Sequence, residues 1–305
     1  MKRLNRYSFL LMMCMGLLSM MACSSKEKQN DESEQNTKIE QPMSLKVMSF
    51  NMRMATDADG ANKWSLRVDS VQKLISTEKP DIVGGQEVLK GMLDDWQRFA
   101  PEYAYIGVGR EDGATEGEYS PILYRKDRFR VVEKGWHWLS ETPDKPGLGW
   151  DAACNRMVVW AILQDTVSGK SLAVFNTHFD HMGEVARLNS SHMLLETVNA
   201  KRGDLPAVVT GDFNANPETE VIKAILNEED PNHLTDTRAL TTRVSGPSYT
   251  FHDYGRTPVA EREIIDYIFI KGDVQVNSLR VIAEGDKPGH VYYSDHHAVI
   301  AELEI

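Results

Sequence analysis

Asp212 and Asn214 stand two positions apart in AVVTGDFNANPET, residues 207–219, directly after a short apolar run. Similar oxygen- and nitrogen-bearing side chains close other apolar runs. Asn51 ends SFN, Glu87 follows GGQ, and His178 ends NTH. Asp266 lies between isoleucines and a tyrosine in IIDYI, and Asp295, His296 and His297 precede the last apolar stretch. Asn and carboxylate oxygens suit a hard cation such as magnesium, which takes one or two carboxylates and keeps several waters. Zinc would call for clustered His and Cys ligands, which this chain lacks. An aspartate buried among isoleucines is costly unless paired, and a nearby histidine is the obvious partner. A His–Asp pair makes an oriented general base, and a second histidine donates to developing negative charge. Together these groups form a set suited to cleaving phosphate esters. Taken singly, each has a plainer reading: an Asx turn at a strand end, a solvent-facing glutamate, a surface histidine pair.

The elements that must position these groups alternate between short apolar runs and amphipathic stretches. Strands are expected at about 45–50, 81–85, 103–107, 122–124, 130–136, 157–163, 172–176, 207–210, 264–270, 278–282 and 298–305. Helices are expected where Trp64, Val68, Val71, Leu74 and Ile75 recur before Pro80, and over about 89–99, 185–201 and 218–226. Strands far outnumber helices, which predicts an α+β fold with two sheets packed face to face and helices outside. Five of the polar groups sit at strand ends, where one cleft can collect them. In that arrangement Asp212 and Asn214 point to one side of an extended segment while Phe213 points into the core.

The motifs SFN, QEV, NTH, GDFN, IDYI and SDH, in this order from Leu45 to Ile305, resemble the endonuclease/exonuclease/phosphatase superfamily. The resemblance implies a four-layer αββα sandwich of two mostly antiparallel sheets and a Mg2+-dependent hydrolase of phosphate esters, with Mn2+ an alternative. It implies that Asn51 and Glu87 hold the metal with Asp295 beside it. Asp212 and Asn214 would bracket the attacking water and the phosphate. His296, oriented by Asp266, would be general base or transition-state partner. His178 would bind phosphate and assist the leaving oxygen. Glu118 resembles a carboxylate that orients His178, and Arg156 a phosphate-contacting arginine. The stretches at 137–161 and 176–191 resemble an exported bacterial branch of metal-dependent hydrolases. Trp136, Trp138 and Trp150 are read as packing residues rather than a stacking platform.

The chain's N-terminal part is read as address rather than fold. Lys2, Arg3 and Arg6 precede an apolar run, Phe9 to Met21, too short to span a bilayer comfortably. This predicts a signal peptide over 1–22. Ala22-Cys23 resembles a lipoprotein processing site, which implies lipid on Cys23; the alternative is an ordinary signal peptide with an incidental cysteine. Residues 23–42 hold one large aliphatic residue, Ile39, and read as a disordered tether. The catalytic domain is then 43–305. Cys154 is its one cysteine, read as a small buried residue, so no internal disulfide is available. The formal charge is −11, three units more negative once Lys2, Arg3 and Arg6 leave. Nucleic-acid affinity comes largely from basic groups, so no stable nucleic-acid partner is expected. The expected protein is a monomeric lipoprotein of the cell envelope, in the outer membrane or on the cell surface, anchored to the bilayer by its acyl group. Its substrate would be a phosphorylated sugar, a lipid head group or a glycan. The competing readings are a secreted nuclease and a non-catalytic surface binding protein on the same fold.

Overall fold

The structure, a computed structural model, describes residues 42–283 and 291–305. The signal peptide, Cys23 and nearly all of the tether fall outside the described residues. The first half runs β1 (Ser44–Asn51), α1 (Trp64–Glu78), β2 (Ile82–Gln86), α2 (Lys90–Phe99), β3 (Tyr103–Ile106), β4 (Ile122–Arg125), β5 (Phe129–Trp138) and β6 (Met157–Asp165). The second half runs β7 (Ser171–His178), α3 (Glu184–Arg202), β8 (Ala207–Asp212), α4 (Glu220–Leu226), β9 (Thr235–Asp236), β10 (Val244–Ser245), β11 (Asp266–Lys271), β12 (Gln275–Val281) and β13 (Val299–Glu304).

One sheet has the order β10-β12-β13-β1-β2-β4-β3 and the other β5-β6-β7-β8-β11-β9. Pairing is antiparallel except at β1–β2, β7–β8 and β10–β12. Leu45, Val47, Ile82, Val174, Val208, Ile268 and Val299 face inward and form the core between the sheets. Their neighbours Met48, Phe50, Val83 and Ile300 face outward and are covered by α1 and α2. Phe175, Val209 and Phe269 likewise meet α3 and α4 on the other outer face. A strand buried on both faces carries apolar residues at every position, which is why these runs look continuous in sequence. The four layers are the expected αββα sandwich.

The inward column of each central strand changes character along its length. On β1 it runs Val47, Ser49, Asn51; on β2, Ile82, Gly84, Gln86; on β7, Val174, Asn176, His178; on β8, Val208, Thr210, Asp212. The apolar end is core and the far end is polar. The middle tier is a small-residue seam that joins the sheets. Ser49 Oγ accepts from the Gly211 N–H at 3.1 Å. Asn176 Oδ1 accepts from Gln86 Nε2 at 2.8 Å and from Thr210 Oγ1 at 3.0 Å, while Asn176 Nδ2 donates to the Gly85 carbonyl at 2.7 Å. A Cβ on Gly84 would stand 1.9 Å from Thr210 Oγ1, so the sheets approach this closely only because position 84 has no side chain.

Trp138 is buried in the inter-sheet core and Trp136 packs against it, consistent with packing. Cys154 differs from expectation: it is partly exposed and lines the cleft described next. Asp266 opens β11 rather than sitting within it, opposite Asp212 in the register.

Candidate active site

Parallel pairing of β1 with β2 sets Asn51 beside Gln86, the residue before Glu87. Parallel pairing of β7 with β8 sets His178 beside Asp212. Strands β11 and β13 run antiparallel to their neighbours, so their beginnings, with Asp266 and the Asp295-His296 segment, arrive at the same end. The topology alone thus delivers both halves of the polar set to one rim. There Glu87, His178, Asp212, Asp295 and His296 line a cleft of about 510 Å3.

Asn51 ties the halves together. Its Nδ2 donates to Glu87 Oε1 at 3.0 Å and to Asp212 Oδ2 at 2.8 Å, one carboxylate from each sheet. Its Oδ1 accepts from the Arg53 N–H at 2.9 Å. Asn51 therefore positions both carboxylates, and its oxygen keeps a second lone pair free of any hydrogen bond among the described residues. Glu87 has a left-handed backbone, φ 57°, and its Oε2 accepts from the Met54 N–H at 3.2 Å. Arg53, φ 51°, is left-handed too. Such conformations in non-glycine residues cost on the order of 1 kcal/mol or more and gather at functional sites.

His296 Nδ1 lies 2.9 Å from Asp266 Oδ2. Its Nε2 faces Asp212 Oδ2 at 3.8 Å. Burial works against charge on His296, yet Asp266, Asp212 and Asp295 together hold its pKa well above the usual histidine value. Burial, reinforced by repulsion from Asp266, pushes Asp212 up to about 7. Burial also raises Asp295, and Glu87 adds to the rise. His297 instead stacks on His252, ring centroids 4.2 Å apart.

His178 goes the other way. Burial lowers its pKa well below the usual value, helped by Arg156 and Arg110. Asn214 Nδ2 donates to the Phe179 carbonyl at 3.0 Å, which fixes the amide orientation and makes His178 Nε2, at 3.1 Å, an acceptor. The neutral ring therefore carries its proton on Nδ1. The extended reading of 212–214 fails at its last residue. Asp212 Oδ1 accepts from the Asn214 N–H at 2.9 Å in an Asx turn, and Asn214 takes φ 46°. Phe213 is buried against Phe179, Tyr267 and Phe269 as expected.

Glu118 lines the same cleft, but its carboxylate pairs with Arg110 Nη1 at 2.8 Å; the carboxylate facing His178 is Asp212, at 3.4 Å. A guanidinium close by outcompetes a neutral imidazole for a carboxylate. Arg156 is 5% exposed, held by Asp180 at 3.3 Å and by His181 Nδ1 at 3.0 Å. Asp180 is kept down at about 2: burial opposes, but the N–H groups of Gly183 and Met182 prevail. Arg53, Arg110, Asp180 and His181 escaped the sequence reading. Position offered a signal for two of them, since Arg53 lies two residues past Asn51 and Asp180 two past His178.

The donor set fits a divalent cation. Carboxylate oxygens of Glu87 and Asp212 and a His178 nitrogen lie within 4.8 Å of one another. Asp295 lies close to the same group: burial raises it, Glu87 adds to the rise, and Arg53 stands 3.7 Å from Glu87 and 3.8 Å from Asp295. Crowded carboxylates of this kind are relieved by a cation.

A family model described as the Endonuclease/Exonuclease/phosphatase family matches residues 48–296. An endonuclease/exonuclease/phosphatase from Bacteroides vulgatus is similar in structure, with TM-score 0.82 and 39% identity over 86% of this chain and 99% of that one. A mannosyl-6-phosphatase from Bacteroides thetaiotaomicron has TM-score 0.79 and 33% identity, over 85% of this chain and 99% of that one. In sequence, the uncharacterized protein L388 of Acanthamoeba polyphaga mimivirus is 29% identical over 181 residues, 56% of this chain and 67% of that protein. With this fold and a family match across nearly all the described residues, the chain belongs to the endonuclease/exonuclease/phosphatase family, whose members are hydrolases acting on phosphate esters.

Proposed function

We propose that this protein is a magnesium-dependent phosphoesterase acting on a phosphorylated sugar, free or within a glycan or lipid head group, with manganese able to replace magnesium. The observation that carries the reading is the convergence of Glu87, Asp212 and Asp295 beside the His296–Asp266 pair, at 2.9 Å, on the rim where both sheets end. Likeness to a mannosyl-6-phosphatase at 33% identity supports a sugar phosphate. Divalent metals are typical of the family.

Glu87 and Asp295 would hold the cation, which would polarise a phosphoryl oxygen and offset charge developing there. Asp212, with a pKa near neutrality, accepts a proton from the attacking water. The water oxygen bonds to phosphorus, the ester P–O bond breaks, and the sugar oxygen leaves as the alcohol with a proton taken from solvent. His296, kept protonated by its three carboxylates, donates to a phosphoryl oxygen as charge builds, with Asn214 and neutral His178 lining the cleft beside it. The test is release of phosphate from a panel of sugar phosphates, nucleotides, phospholipid head groups and nucleic acid, with chelator and with Mg2+ restored. Turnover of sugar phosphates that vanishes with chelator and returns with Mg2+ is the expected result. Chelator-insensitive hydrolysis, or cleavage of nucleic acid alone, would overturn the reading.

The same proposal places the domain on a membrane surface through lipid on Cys23. The basic start, the Ala22-Cys23 junction and the polar stretch after it support this. A tether of 20 residues has a root-mean-square reach of roughly 25 Å, enough to hold the cleft clear of head groups. Mass spectrometry of the mature N-terminus should show an acylated Cys23, absent after Cys23→Ser. A mature chain beginning elsewhere without acyl mass would refute it.

A further inference from the structure

The cleft holds three arginines, and each is braced by carboxylate. Arg53 is gripped two-pronged by Asp59, Nε to Oδ2 and Nη2 to Oδ1, both at 3.0 Å. Asp59 is itself fixed by the Tyr254 hydroxyl at 3.0 Å. Arg110 is held by Glu118 through Nη1 at 2.8 Å and by Glu111 through Nε at 3.2 Å, and Arg156 by Asp180 at 3.3 Å. All three arginines line the cleft that contains Glu87, Asp212 and His296. They also converge: Glu118 feels the charge of all three.

The braces leave donors over. Arg53 binds Asp59 through Nε and Nη2, so Nη1 remains, 3.7 Å from Glu87 and beyond hydrogen-bonding range. Arg156 spends Nε on Asp180 and Nη2 on His181, and its Nη1 is buried with no hydrogen-bond partner among the described residues. A buried guanidinium nitrogen left unsatisfied is costly, and an anion in the cleft would satisfy it. Fixing an arginine by one side of its fork pre-pays the entropy of aiming the other side.

We infer that Arg53 and Arg110, acting with Arg156, form a dianion-selecting cradle that makes this cleft specific for terminal phosphate monoesters over phosphodiesters. The inference rests on the phosphoesterase reading above and narrows it. A monoester phosphate is largely dianionic at neutral pH, its second pKa being about 6, and it offers three non-bridging oxygens. A diester carries one charge and two such oxygens, and its second carbon substituent would have to push an arginine off its brace. Three fixed forks around one phosphate therefore favour the monoester by attraction and penalise the diester by displacement.

The experiment compares p-nitrophenyl phosphate with bis(p-nitrophenyl) phosphate on the full chain in Mg2+, for the wild type, Arg53→Gln and Arg110→Gln. Each glutamine variant should lose about 100-fold or more in kcat/KM for the monoester, the scale of a lost transition-state donor, and a clearly smaller factor for the diester, which offers one charge and two non-bridging oxygens. Arg53→Lys and Arg110→Lys should recover part of the monoester loss. Damage to the fold or to metal binding lowers both substrates alike, so the ratio is the readout, with thermal melts as control. Equal losses on both substrates, or a larger loss on the diester, would overturn the inference. Should the wild type hydrolyse neither aryl ester, the sugar-phosphate panel decides the phosphoesterase reading, and calorimetry decides the cradle. Inorganic phosphate should then bind more tightly than dimethyl phosphate, and Arg53→Gln and Arg110→Gln should abolish that preference. Phosphate affinity unchanged in both variants would refute it.

Discussion

His296→Ala lowers kcat by about 100-fold to 10,000-fold, the range for a positioned acid–base group, with a much smaller change in KM. Asp266→Asn falls in the same range. The reason is geometric: Asp266 Oδ2 sits 2.9 Å from His296 Nδ1, sets the ring's orientation and leaves Nε2 toward the cleft. The two side chains act as one unit, so the double variant is hardly worse than the poorer single one. A second readout separates this from mere loss of packing. Burial opposes charge on His296 and Asp266 is the leading group that sustains it, so Asp266→Asn moves the His296 pKa downward. Histidine resonances followed by NMR across pH should report that fall. Strictly multiplicative losses in the cycle, or an unmoved His296 titration, would show that Asp266 does not govern this ring.

Glu87→Gln should abolish high-affinity Mg2+ binding and turnover with it. Partners of a metal's ligands typically cost about 10- to 100-fold in affinity when changed, so loss of a charged ligand should reach or exceed the upper figure. Asn51 donates to Glu87 and Asp212 together, so removing the Glu87 charge also loosens the link between the halves of the site. Calorimetric titration with Mg2+ measures the first effect and a thermal melt bounds the second. Metal affinity within 2- to 3-fold of wild type, at about the limit of such a comparison, would remove Glu87 from the metal site.

The sequence disclosed the sandwich because strands buried on both faces leave uninterrupted apolar runs, as in Ala207–Thr210. It disclosed the strand-end groups because polar residues closing such runs are conspicuous. Reading every second residue carries further: Val208, Thr210, Asp212 and Val174, Asn176, His178 each step from core to seam to cleft. What stayed hidden depends on partners. Arg53 and Asp59 are six residues apart, Arg110 and Glu118 eight, and Arg156 and Asp180 twenty-four. No periodicity separates such pairs from ordinary surface charges. In sequence Glu118 pairs as readily with a histidine, because nothing there marks Arg110 as closer. Strands β9 and β10, two residues each, are too short to carry a pattern. Asn214 was read as extended because a turn closed by the preceding aspartate's side chain looks the same in one dimension.

The order of the first sheet has a kinetic consequence. Strand β13 lies between β12 and β1, and its pairing joins Ser44 to Glu304 and Ser49 to Val299. The central ladder of that sheet thus closes across more than two hundred intervening residues. Such long-range pairing slows folding. Until it forms, β1 shows an open edge, the kind of surface on which partly folded chains aggregate. A ribosome that has released everything up to Arg280 has made most of the apolar surface but not the strand that seals it. Refolding yield should therefore fall steeply with protein concentration, and a chaperone able to cap a naked strand should restore it.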